Sequence, residues 1–202
     1  MRRYYSVMID RILRWLGEST GAPNLRKTTL FGIPVFVENT RPDIDSDEVL
    51  GRIERCLDLI RQYVPHHFRH IQRDFRYIVS KRFACRGAYF HNEAACLIEL
   101  TFCVNPGFSD AEVAATILHE AMHARLDSLG FPLEMEDRGR QERFCRRAEL
   151  EFGALVPGGE KVIERAQQTI ELADEEVAPV IDPGLAAERI AAVDRSALEK
   201  CS

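Results

Sequence analysis

Apolar residues recur at helical spacing in several stretches of the chain, and short β-rich runs lie between them. Tyr5, Met8, Ile9, Ile12, Leu13 and Leu16 mark a helix over residues 4–17, and a Gly- and Pro-bearing linker follows over residues 18–27. Thr29–Val37 is β-rich but is interrupted by Gly32 and Pro34, so it reads as an edge strand at best. After a polar turn, Val49, Ile53, Cys56, Leu57, Ile60 and Tyr63 predict a helix over about 47–64. Phe68–Lys81 is basic and mixed and ends in a strand at Phe75–Val79. Gly87–His91 and Ala95–Phe102 read as a hairpin turning at Asn92-Glu93.

The next helix has both ends signalled. Ser109-Asp110-Ala111-Glu112 fits a capping box, Val113, Ala114, Ile117, Leu118, Ala121 and Met122 form its stripe, and Gly130 with Pro132 stops it. A further helix is predicted over about 137–155, with two acidic ones near 160–173 and 185–199. The order implies an α+β domain, a small mixed or antiparallel sheet packed on helices, with extra helices at both ends. The division is 1–27 for the N-terminal amphipathic helix and linker, 28–159 for the domain, and 160–202 for a helical extension.

Composition narrows the picture. The 202 residues are 46% hydrophobic and 29% charged, with a formal charge of −5, which suits a globular chain and argues against nucleic acid as a partner. No run of about 18 apolar residues is present to span a membrane. None of the six cysteines forms a Cys-x-x-Cys pair, and Cys56, Cys96 and Cys145 read as small hydrophobes. Asp10, Arg11 and Arg14 break what a signal peptide would need as an apolar stretch. A reducing, cytoplasmic compartment is the expectation, with the oligomeric state open.

One motif carries chemistry. The centre of the capped helix reads His119-Glu120-Ala121-Met122-His123, the pattern H-E-x-x-H. Histidines at i and i+4 lie on one helical face, so both imidazoles can reach one metal ion. The glutamate between them points to the side of that pair, where its carboxylate meets a metal-activated water rather than the metal. Chance supplies the pattern in roughly one chain of this size in two hundred.

Zinc requires a third protein ligand. No histidine follows His123, so the ligand comes from the next helix or from upstream. Glu142 and Glu149 are seven residues apart and nearly superposed beside the apolar sector of Phe144, Cys145, Ala148 and Phe152. Carboxylates beside an apolar face need a positive partner. A metal site meets that need, and so do ion pairs with Arg138 or Arg146. Upstream, His66, His67 and His70 follow a helix end and read as mostly structural or surface residues. Only one group then has ligand spacing, which sets an expectation of about one zinc ion per chain.

The run from about Asp47 to Gly159 resembles a small zincin of the gluzincin type, the thermolysin-like clan of zinc metallopeptidases. It is also similar to bacterial proteins with an H-E-x-x-H-A segment followed by a helix rich in Glu and Arg. The resemblance implies a hydrolase that cleaves a peptide or protein substrate, with Zn2+ held by His119, His123 and a glutamate, and Glu120 as general base. Glu142 follows His123 by nineteen residues, the place where that clan carries its glutamate ligand. Arg146 stands where the clan's E-x-x-x-D pattern has an aspartate, so Glu149 takes the supporting role or is itself the ligand. In this class the strand before the hairpin lies at the sheet edge beside the cleft. Tyr89 and His91 then become candidates for steadying the oxyanion.

Two other classes stand beside this one: a non-enzymatic binding or regulatory protein on the same fold, and a metal-dependent hydrolase of a non-peptide substrate. The basic stretch Arg69–Arg86 reads as a solvated face, with an internal contact to the acidic C-terminal third or an acidic substrate as alternatives.

Overall fold

The computed structural model describes residues 25–132, 138–170 and 183–201. The expected helix over residues 4–17, and most of the linker after it, lie outside the described residues. Within them the chain is α+β, with seven helices and one five-stranded mixed sheet in the order β1-β2-β3-β5-β4. The strands are β1 (Leu25–Leu30), β2 (Ile33–Glu38), β3 (Tyr77–Lys81), β4 (Gly87–Phe90) and β5 (Ala95–Glu99). The helices are α1 (Ser46–Tyr63), α2 (Pro65–Asp74), α3 (Leu100–Val104), α4 (Asp110–Ser128), α5 (Arg138–Leu155), α6 (Glu160–Ile170) and α7 (Pro183–Cys201).

The segment expected as one interrupted edge strand is a hairpin. Phe31 and Gly32 both take positive φ, 50° and 84°, which makes a two-residue turn with the twist a hairpin needs. Leu25–Lys27, expected in the linker, belong to β1, and β2 is an inner strand rather than an edge. Pro34 is tolerated there because the parallel ladder with β3 begins one residue later, at Val35↔Ile78. β3 pairs parallel with β5, and β4 closes the sheet as an edge strand antiparallel to β5.

Alternation along the strands sends Val35, Val37, Ile78, Cys96 and Ile98 to the main core, while Phe36, Tyr77, Val79, Ala95 and Leu97 form a smaller cluster on the opposite side. α1 buries Val49, Ile53, Cys56, Leu57 and Ile60 on the main core, each burial worth about 1.5–3 kcal/mol for the larger side chains.

α2 was not expected, because Pro65, His66, His67, Arg69 and His70 mask its stripe. Proline at the first helical position is nevertheless a start signal, and His67, Phe68 and Ile71 are the residues it buries. Ala95–Phe102, expected as one strand, splits at Glu99. Its carboxylate accepts from the Phe102 amide and caps α3.

α4 positions the chemistry. Its capping box forms as expected: the Ser109 hydroxyl accepts from the Glu112 amide, and Glu112 accepts from the Ser109 amide. Gly130, at φ 72°, takes the left-handed position past its end. Almost every residue from Ala111 to Ala121 is buried, so α4 is a core helix rather than a surface one. Arg52 of α1 anchors its start. The guanidinium donates to the carbonyls of Asn105 and Phe108 and pairs with Asp110 at 3.0 Å.

At the far end of the chain, Asp194 of α7 pairs with Arg41 and Arg82, at 3.1 and 2.9 Å. One arginine of the basic stretch thus makes the internal contact to the acidic C-terminal third. No described helix is long and apolar enough to cross a membrane.

Candidate metal centre

A core helix that carries His119, Glu120 and His123 must find partners for three polar side chains. His119 and His123 find theirs on α5, which packs along it. The Nε2 atoms of His119 and His123 lie 3.2 Å apart. Glu142 straddles them, with Oε2 at 3.1 Å from His119 Nε2 and Oε1 at 3.3 Å from His123 Nε2. Zinc holds nitrogen and oxygen donors at about 2.0–2.1 Å in a tetrahedron, and the edge of that tetrahedron is about 3.3 Å. The two ε nitrogens stand at about that spacing and each has one Glu142 oxygen at a similar distance, so the residues present fit the group.

Glu149 occupies a different place. Its Oε1 lies 2.9 Å from His119 Nδ1, on the far side of the ring. The Arg146 guanidinium donates to both of its oxygens at 2.9 Å and stands 3.9 Å from Glu142. A carboxylate on the second nitrogen of a metal-binding histidine fixes the ring's orientation and tautomer. Of the two glutamates left open by the sequence, Glu142 faces both ε nitrogens and Glu149 supports one ring from behind.

The electrostatics tie His119 to the two carboxylates. Burial opposes charge on His119, but Glu142 and Glu149 outweigh it and raise the imidazole to about 10. Burial likewise opposes charge on Glu142 and Glu149, yet His119 holds both below the ordinary carboxylate range, joined by His123 for Glu142 and by Arg146 for Glu149. Burial pushes the Glu120 carboxyl up, against the pull of the two histidines.

Glu120 lies under the edge strand. A Cβ placed on Gly87 of β4 would come within 2.9 Å of Glu120 Oε1 and 2.7 Å of Thr116 Cγ2. Only a residue without a side chain lets β4 run this close to the carboxylate.

Tyr89 and His91, the oxyanion candidates, are not drawn into the donor cluster. The Tyr89 hydroxyl donates to Asp127 at 2.7 Å, and its ring stacks on Phe75. Burial and Asp127 keep that phenol protonated. His91 is exposed in the turn after β4.

One neighbour was not anticipated. Cys145 Sγ lies within 4.8 Å of both histidines' ring nitrogens. Burial pushes its thiol well above the usual range, with Glu142 and Glu120 adding to the shift. Its sulfur is nevertheless placed so that it could reach an ion held between the two histidines. Its place one turn along α5 from Glu142 was the available signal.

Comparison of the chain with protein-family models, with curated proteins and with solved structures finds no match.

Proposed function

We propose that the chain is a zinc-dependent metallopeptidase of the gluzincin type, with His119, His123 and Glu142 as the zinc ligands and Glu120 as the general base. The observation that carries this reading is the pair of ε nitrogens 3.2 Å apart, each with one Glu142 oxygen at 3.1–3.3 Å, and a buried glutamate beside them. Zinc bound there supplies Lewis acidity, polarising a scissile carbonyl and acidifying water towards a pKa of about 7.

The chain's own residues do the rest. Glu120 takes a proton from the attacking water and hands it to the departing amine nitrogen. The upward push of burial brings its pKa closer to neutrality, where a group can both accept and return a proton. Glu149, clasped by Arg146, keeps the His119 ring turned so that Nε2 faces Glu142. β4 favours a peptide over a small molecule. It ends the sheet, no described strand pairs with its outer edge, and it passes directly over Glu120, so an extended substrate backbone can add alongside.

The test is Glu120→Gln, which keeps the shape and removes the proton acceptor. Zinc content should hold while turnover of a mixed peptide pool falls by at least ~10²-fold. Equal inertness of wild type and variant across the pool would instead favour a binding protein on this fold.

A further inference from the structure

α5 carries a carboxylate on another face as well. Glu151 meets the start of α2, where His66 Nε2 lies 3.4 Å from its Oε1 and His67 Nε2 lies 3.3 Å from its Oε2. One ligand atom from each of the three residues falls within 4.8 Å of the other two. The arrangement repeats that of Glu142, a single carboxylate spread across two ε nitrogens. Glu142 and Glu151 are nine residues apart, about 13–14 Å along the helix axis, so one ion cannot serve both.

The edge of a zinc tetrahedron is about 3.3 Å, and each ε nitrogen has one Glu151 oxygen at about that distance, which also admits a hydrogen bond. The two imidazole rings are 4.1 Å apart, close enough to face one ion. His66 and Glu151 are 44% and 47% exposed, which leaves water able to complete the coordination.

We infer that His66, His67 and Glu151 form a second zinc site, separate from the H-E-x-x-H centre. The ion held there links α2 to α5, two helices that both pack on α4. The sequence could not show this group, because its members are 84 residues apart and meet only through the packing of α2, a helix the apolar pattern did not reveal.

Zinc titration of the metal-free full chain against a chromophoric chelator tests the inference. Glu151→Gln and His66→Gln change half-exposed side chains and should leave the fold intact, as checked by circular dichroism. Wild type should take up two equivalents, Glu151→Gln and His66→Gln one each, and Glu142→Gln one. If wild type takes up one equivalent that Glu151→Gln abolishes, the second site stands and the metallopeptidase reading falls. If that single equivalent survives in Glu151→Gln and is lost in Glu142→Gln, the second site is overturned and the metallopeptidase reading stands. Uptake of none overturns both, and two equivalents retained in Glu151→Gln and His66→Gln overturn the second site.

Discussion

Replacing Gly87 by alanine tests the placement of Glu120 with one methyl group. The new Cβ would stand 2.7 Å from Thr116 Cγ2, 2.9 Å from Glu120 Oε1 and 3.3 Å from Glu120 Cγ. Gly87 does not use the left-handed region, so alanine adds no backbone strain. At a permissive position, Gly→Ala gains about 0.4–1 kcal/mol by restricting the unfolded chain. Forcing a methyl into packed surroundings costs about 1–3 kcal/mol. Thr116 and Glu120 are both buried and cannot swing into solvent, so the cost wins, with a net loss of about 1–2 kcal/mol. Urea melts read that loss. Glu120 must also move, and a misplacement of about 1 Å costs on the order of 10²-fold in turnover. None of the three atoms nearest the methyl belongs to His119, His123 or Glu142, so chelator competition should give the wild-type zinc affinity. Adding Thr116→Ser removes the closest contact and should restore part of the stability without restoring turnover. A Gly87→Ala protein that melts and turns over like wild type would refute the close approach of β4 to Glu120.

Three further outcomes follow from the same geometry. Glu142→Ala should lose most zinc affinity, while Glu149→Ala should lose about 10–100-fold, and the reverse order in a chelator competition would exchange their roles. Because Glu142 and Glu149 raise His119 from 6.5 to about 10, the stability this ion group gives the metal-free protein is complete below pH 6.5 and is lost as pH rises towards 10. Urea melts in chelator should therefore weaken over that range, and a flat profile would contradict the pairing. Glu142 and Glu149 are lowered, so their contribution is present above pH 4.5 and is lost on further acidification, which the same melts below pH 4.5 would show. Zinc must displace the His119 proton, so uptake at pH 7.5 should release about one proton at that site, measured by calorimetry in buffers of different ionisation enthalpy.

The parts of the fold legible in the sequence are those with a local cause. α1 and α4 carry unbroken apolar stripes, and the capping box at Ser109 and Glu112 names its own partner three residues away. The pairing of His119 with His123 is equally local, set by one turn of helix. What was not legible depends on contacts between distant segments or on polar residues in the wrong company. α2 buries only two large apolar side chains among histidines and arginines, so periodicity passed over it. The β1–β2 hairpin turns on Phe31, a residue with no turn preference that takes positive φ beside Gly32. The separate places of Glu142 and Glu149 could not be read from a seven-residue spacing that puts both on one edge. They are set by how far α5 slides along α4, which brings one carboxylate to Nε2 and the other to Nδ1.

The burial of α4 on nearly every side has a consequence for how the centre is lost and regained. Its amides around His119 and Glu120 have no surface turn from which to fray, so their exchange with deuterium requires the whole domain to open. The donors on that helix are then held in place by the same packing that holds the domain folded. Stripping the metal at neutral pH should leave protection at residues 117–121 close to its value in the loaded protein, and rebinding should be fast, with no refolding step before it.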